Sequence, residues 1–354
     1  MTNYQLFITC PNGLEDTLKQ EIEALSLPIT NLTVGGVKLE TDLEGLYLCA
    51  LHLRTPNRIL LHLYSDKLKE GEDLASQAEK FKWDNYFNVE HSIAIDFRGV
   101  DDNIRNTMYG AQCIKDGISD YFRGINGQRP TINKDNPDIK IRAQLRRGHI
   151  NLYLDVFAKS LHQRGYRMQQ GLAPLKENVA SGLLLQAGWN EIAQSNGGLI
   201  DPLCGSGPFL IEGWQMATKY LPGFILGKNL SLAWLGSDSA LWQRLFTEAF
   251  DAHEIAAAAY SAPIMGFDVD PNMVYKAQQN INAAGLEKNI QVSTRDISHF
   301  SKPSHLKAGL VISNPPYGER LSEVNELLEL YQTIGKQVNL HCKNWRLAIL
   351  TCDQ

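Results

Sequence analysis

Between residues 198 and 351 the apolar positions come in runs of about five: GGLID, PIMGFD, IQVST, GLVIS and RLAILT. Stretches with helical spacing separate them. Strands that are apolar without alternation fit a sheet covered on both faces, and their alternation with helices predicts βαβ units and a parallel sheet. The first 157 residues have a different rhythm. YQLFITC alternates like a half-buried strand, and GLEDTLKQEIEAL places Leu14, Leu18, Ile22 and Leu25 on one helical face. NLTVGGVKLETD predicts a hairpin turning at Gly35-Gly36, and LEGLYLCALHLRTPNRILLHLY a helix followed by a strand. A strand at SIAIDFRG and a helix at TMYGAQCIKDGISDYFRG follow. PDIKIRAQLRRGHINLYLDVF then reads as a hairpin with Arg146-Arg147-Gly148-His149 at its tip. The polar, glycine-containing LHQRGYRMQQGLAPLKEN marks a domain boundary. The predicted architecture is α/β, a Rossmann-like domain preceded by an α+β domain.

Length and composition agree. A chain of 354 residues is long for a single core, and 44% hydrophobic with 21% charged residues is a globular balance. No apolar run approaches the roughly 18–20 residues that span a bilayer. MTNYQLFITC lacks a basic start and a small-residue cleavage site, so no signal peptide is expected and the location is read as cytoplasmic. The cysteines, Cys10, Cys49, Cys113, Cys204, Cys342 and Cys352, form no CxxC pair and have no histidine at zinc spacing. They read as reduced core thiols, and no metal site is expected. A net charge of −5 argues against a uniformly basic nucleic-acid binder. Residues 131–170 nevertheless hold eight basic and three acidic side chains, a local +5. Arg142, Arg146, Arg147, Arg164, Tyr166 and Arg167 are the candidates there for tracking nucleic-acid phosphates and stacking a base; a solvated charge run is the alternative.

The candidate chemistry sits at the ends of the apolar runs. After the first comes Asp201-Pro202-Leu203-Cys204-Gly205-Ser206-Gly207-Pro208. Two glycines there let a ligand approach the backbone, although a tight structural turn has the same composition. Leu210 stands where a dinucleotide fingerprint needs a third glycine, and no GK[ST] follows. Asp201 at the strand end suits an ammonium-bearing ligand better than a pyrophosphate. Pro202, Cys204, Gly205, Ser206 and Gly207 would line it. Asp268 ends the second run, where ribose hydroxyls are held; capping the next helix is the alternative, and the stronger one for Asp270. Asp296 after the third run is placed to accept from an adenine amino group, or is an ordinary surface acid. Together these describe a pocket for an adenosine carrying a small zwitterion, S-adenosylmethionine.

The fourth run ends in Asn314-Pro315-Pro316-Tyr317. The lone pair of an exocyclic amino group is delocalised into its ring. Two acceptors aimed at the amino hydrogens localise it: the Asn314 side-chain oxygen and the Pro315 carbonyl, held by the rigid di-proline. Tyr317 offers a stacking face for a base turned out of its helix. The long segment 221–262 contains Trp234, Trp242 and Phe246, which either shape an RNA entrance or pack.

DPLCGSGPFLIE, GFDVDP and SNPPYGERL together resemble the RNA guanine-N2 methyltransferases of class I that carry an N-terminal THUMP domain. DDNIRNTMYGAQCIKDGISDYF, PDIKIRAQL and LHQRGYRMQQGLAPLKENVASGLL are similar to those found as the N-terminal half of bifunctional K/L enzymes acting on large-subunit ribosomal RNA. The resemblance implies a ferredoxin-like leader over about 1–60 and a THUMP unit over about 42–157. A linker over 158–172 and a methyltransferase domain over 173–354 would follow. It implies that Pro174, Lys176 and Glu177 help close over the cofactor, that Asn314, Pro315, Pro316 and Tyr317 are catalytic, and that the partner is 23S ribosomal RNA or a precursor particle. Two departures stand out. Pro208 occupies a position that is usually small or hydroxylic, and the chain stops at LAILTCDQ, so the sheet is expected to lack its last strands. An adenine-N6 enzyme, a transfer-RNA guanine-N2 enzyme and a non-catalytic RNA-binding assembly factor are the rival readings.

Overall fold

The computed structural model describes residues 3–68, 73–101, 104–169, 175–316 and 321–351, with backbone alone over 321–327. The chain divides into two compact units. One holds Met1–Ala50, Pro56–Ser160 and Leu226–Leu245; the other holds Leu51–Thr55, Leu161–Ile225 and Phe246–Gln354.

The elements up to residue 155 are β1 (Tyr4–Thr9), α1 (Glu15–Ala24), β2 (Ile29–Thr33), β3 (Gly36–Thr41), α2 (Leu43–His52), β4 (Arg58–Lys67), α3 (Leu74–Glu79), β5 (Ile93–Arg98), α4 (Thr107–Asn126), β6 (Ile139–Arg146) and β7 (His149–Asp155). Their strands form one sheet in the order β2-β3-β1-β4-β7-β6-β5. Alternation sets the buried face: Leu6 and Ile8 of β1 and Val37 and Leu39 of β3 are buried, as are Leu18 and Ile22 of α1, which packs on β2 and β3. Helix α4 starts at Asn106, whose side chain accepts from Met108 N, and stops at Gly127 in the left-handed region. Strands β6 and β7 pair Arg146 with His149 across Arg147-Gly148, both at positive φ (51° and 71°), the backbone of a two-residue hairpin turn. Trp234 meets Tyr4 edge-on at 5.6 Å between centroids. Trp242 meets Tyr47 at 5.4 Å and donates its Nε1 to Gly227 O at 2.9 Å. These two tryptophans are packing residues of the first unit.

The remaining elements are α5 (Glu177–Gln186), α6 (Trp189–Gln194), β8 (Gly198–Asp201), α7 (Pro208–Ala217), α8 (Ser239–Ala259), β9 (Ile264–Asp268), α9 (Pro271–Ala283), β10 (Ile290–Thr294), β11 (Gly309–Ser313), α10 (Leu321–His341) and β12 (Arg346–Ile349). The sheet order is β10-β9-β8-β11-β12, and every pairing is parallel. The apolar runs are continuous because successive residues face opposite cores. Leu199 and Leu310 pack with Phe209, Leu210 and Ile281, whereas Ile200 and Val311 pack with Phe267, Phe300 and Ile334. The strand order reverses between β8 and β11, and the carboxyl ends of the strands at such a point are the usual ligand position in sheets of this kind.

Candidate cofactor and methyl-acceptor site

Parallel pairing brings Asp201, Asp268, the residues after Thr294 and those after Ser313 to one edge of the sheet. The loop from β8 to α7 turns there with Gly205 at φ 53° and Gly207 at φ 82°, conformations that a side chain disfavours. Its backbone is pinned. Cys204 N donates to Phe267 O at 2.7 Å, Gly207 N to Cys204 O at 2.8 Å, and Gly205 N to Asp268 Oδ2 at 3.0 Å. Pro208 enters α7 at its first turn, where no amide proton is needed. Pro202, Cys204 and Ser206 of this loop are buried, and burial pushes the Cys204 thiol well above its usual range, so it packs as a neutral group. A Cβ on Gly205 would meet nothing nearer than Met273 Cε at 3.7 Å, whereas one on Gly207 would touch Ala277 Cβ at 3.4 Å.

Asp201 is almost wholly buried and accepts from Ser313 Oγ at 2.8 Å and Leu203 N at 3.1 Å. Burial pushes its carboxyl up to about 7 against those two hydrogen bonds, and the charge of Asp268 adds to the rise. Asp268 accepts from Gly205 N through Oδ2 and from Asp270 N through Oδ1, both at 3.0 Å. Each oxygen keeps a second lone pair for a hydroxyl. Asp270 caps α9 by accepting from Asn272 N at 2.8 Å. Asp296 is exposed and accepts from Ser298 Oγ and N, bonds that hold it below the usual carboxylate range. A glycine loop, the buried Asp201, Asp268 with spare acceptor lone pairs and the exposed Asp296 are a donor and acceptor set of the kind an adenosyl group with a cationic tail would need.

Asn314 is half-buried at the end of β11, Pro315 is buried and Pro316 exposed. Ser313 fixes the start of that turn: its hydroxyl holds Asp201 and its carbonyl accepts from Leu350 N at 3.0 Å. Tyr317 and Pro174 lie outside the described residues. Lys176 is exposed just before α5, and Glu177 is buried, accepting from Arg167 Nε at 2.9 Å.

The basic candidates separate into two groups. Arg142 is buried between Asp155, at 2.9 Å from Nε, and Asp96. Arg164 donates to the carbonyls of Arg54 and Leu161 and lies 3.8 Å from Glu212. Tyr166 is buried with its hydroxyl donating to Glu212 at 2.9 Å, and Arg167 also donates to Leu175 O. Arg142, Arg164 and Tyr166 are buried on internal partners, so the expectation that these three face RNA is corrected here; Arg167 is half-buried. A guanidinium is drawn out of water by carboxylates and carbonyls that take its donors, and a side chain buried on such partners is not presented to a phosphate. Arg146 and Arg147 stay exposed at the β6–β7 turn. Two residues escaped the sequence reading. Ser313 reads as an ordinary strand residue. Asn280 shares the apolar face of α9 with Ala277 and Ile281, and a buried amide at such a position is its only signal.

Among the described residues no group of three or more His, Cys, Asp or Glu side chains is placed to hold a metal ion, and no helix is long and apolar enough to cross a membrane. A parallel sheet whose carboxyl edge combines this cradle with an Asn-Pro-Pro turn is the architecture of a Rossmann-like methyltransferase domain. Comparison with known families agrees: residues 164–354 match the RMKL-like methyltransferase domain, 69–155 the THUMP domain and 5–60 the RlmL ferredoxin-like domain. The chain belongs to the RMKL-like methyltransferase family. The ribosomal RNA large subunit methyltransferase K/L of Pseudomonas savastanoi pv. phaseolicola is 40% identical over 349 residues, covering 98% of this chain and 46% of that protein. The chain thus spans just under half the length of the curated relatives it matches. A crystal structure of a protein assigned as a methyltransferase and complexed with SAH superposes with a TM-score of 0.86 at 28% identity, covering 100% of this chain and 91% of that one. A possible methylase from Clostridium difficile 630 gives 0.83 at 26%, covering 99% and 90%.

Proposed function

We propose that this chain transfers a methyl group from S-adenosylmethionine to the exocyclic N2 of a guanine in 23S ribosomal RNA, in the cytoplasm. One hydrogen bond carries the reading: the 2.8 Å bond from Ser313 Oγ to Asp201 fastens the Asn314 turn to the strand that bears the glycine loop. An acceptor pair for an amino group and a cradle for an adenosyl cofactor therefore share one crevice. Asp268 would hold the ribose, Asp296 the adenine amino group, and Asp201 with the loop amides the amino-acid end; Lys176 and Pro174 are proposed to lie near the cofactor. Bound S-adenosylmethionine supplies an electrophilic methyl group. The protein's own part is to hold the target nitrogen, with Asn314 Oδ1 and Pro315 O accepting its hydrogens so that its lone pair turns out of the ring, and with Tyr317 stacking the base. The THUMP match supports RNA as the polymer, with the units before residue 157 serving to hold it and Arg146 and Arg147 touching phosphate. The names of the relatives support large-subunit ribosomal RNA, and the motif resemblance supports guanine N2.

The test is transfer of labelled methyl from S-adenosylmethionine to 23S ribosomal RNA lacking modification, followed by nucleoside analysis. N2-methylguanosine is the expected product. N6-methyladenosine would replace the guanine assignment, and absence of any labelled nucleoside would contradict the proposal.

A further inference from the structure

Asn280 lies on α9 and is almost wholly buried. Its Oδ1 accepts from Met168 N and Gln169 N, both at 2.9 Å, and its Nδ2 donates to Gln169 O at 2.9 Å and Ser206 O at 3.0 Å. An amide has two acceptor sites and two donors, and all four are used. Ser206 is the middle residue of the glycine loop. Its carbonyl belongs to the same peptide as the Gly207 amide, which donates to Cys204 O at 2.8 Å. Both polar ends of that planar peptide are thus tied down, one to α9 and one to the loop itself. Gly205 and Gly207 on either side have positive φ, the freedom that would let the peptide rotate if Asn280 released it. The same side chain also fixes the chain at Met168 and Gln169.

We propose that Asn280 is a positioning residue for cofactor binding: it locks the Ser206–Gly207 peptide so that the loop meets the adenosyl ligand already in its bound shape. The inference rests on the S-adenosylmethionine reading of this crevice. Preorganisation of this kind shows in ligand affinity, because the entropy of ordering a loose loop is subtracted from the free energy of binding. Asn280→Asp keeps the acceptor and removes both donors. Its carboxylate can still accept from Met168 N and Gln169 N, but it has nothing to donate to Ser206 O or Gln169 O.

The experiment is calorimetric titration of the full chain with S-adenosylhomocysteine, for wild type, Asn280→Ala and Asn280→Asp. Steady-state kinetics and thermal unfolding accompany it. Both variants should raise the dissociation constant by about tenfold or more, as the loss of a buried hydrogen bond allows. KM for S-adenosylmethionine should rise in step, while kcat at saturation stays within about threefold because Asn280 does not hold the acceptor base. Variants that melt earlier yet bind with the wild-type constant would overturn the inference and leave the methyltransferase reading standing. If wild type itself takes no S-adenosylhomocysteine, that reading falls and the inference with it. Hydrogen exchange on the wild type gives an independent arm. The ligand should slow exchange of the Gly207, Met168 and Gln169 amides together, and protection of Gly207 without the other two would equally overturn it.

Discussion

Replacing Asp201 by asparagine should make the protein more stable at pH 8 and weaken its hold on the cofactor. Asp201 accepts from Ser313 Oγ and Leu203 N, and an amide oxygen can accept both in its place. Ionisation is what the variant loses. Burial raises the folded carboxyl from 3.8 to about 7, so the native state holds that proton far more tightly than the unfolded chain does. The stabilising contribution of the proton is therefore fully present below the unfolded value near 3.8 and is lost as pH rises through 7. Roughly three pKa units at 1.36 kcal/mol each give about 4 kcal/mol as the upper size of the effect, of which relaxation will remove part. Urea unfolding of the ligand-free protein at fixed pH from 5 to 8 reads the part lost between pH 5 and 7, roughly two units or about 2.7 kcal/mol. Wild type should lose stability relative to Asp201→Asn across that range, with the two converging toward the acid end. Titration with S-adenosylhomocysteine at pH 8 should show the opposite ranking, because the charge proposed to face the ligand's ammonium is gone. Stability curves that stay parallel from pH 5 to 8 would refute the buried, protonatable Asp201 on which this rests.

Other changes test other parts. Arg146→Ala with Arg147→Ala should weaken RNA binding and lower the slope of log affinity against log salt by about one for each phosphate no longer neutralised, whereas Arg164→Ala should lower the melting temperature without changing that slope. Salt-dependent filter binding and thermal melts distinguish them. Gly207→Ala places a Cβ in the left-handed region and against Ala277 Cβ at 3.4 Å. It should cost about 1–2 kcal/mol in a chemical melt and raise the cofactor dissociation constant. Trp234→Ala removes an indole that packs against Tyr4 and should destabilise by about 3–5 kcal/mol, with the dissociation constant for S-adenosylhomocysteine unchanged.

Much of the second unit was legible because a parallel sheet buried on both faces writes its strands as uninterrupted apolar runs, and each run here became a strand from β8 to β12. Its loop glycines were legible as a tight turn or a place of close backbone approach, and both glycines take a positive φ. Partnership over distance in sequence was not legible. Arg164 and Tyr166 look like a basic, aromatic RNA patch until Glu212, more than forty residues later, takes the tyrosine hydroxyl and lies beside the guanidinium. Trp234 and Trp242 read as entrance or packing residues, and their packing partners Tyr4 and Tyr47 lie far back in the chain. Asn280 reads as one more polar helix residue, since nothing in α9 itself announces that the chain at Gln169 and the loop at Ser206 converge on it.

The central claim is that the turn after β11 grips an amino nitrogen beside the cofactor, and Asn314→Ala tests it most directly. Methyl transfer to unmodified 23S ribosomal RNA and binding of S-adenosylhomocysteine should be measured on the same preparation. Transfer reduced by about a hundredfold or more with the ligand still bound at near wild-type strength is the predicted result, in line with the loss of one preorganised acceptor. Undiminished transfer would contradict it.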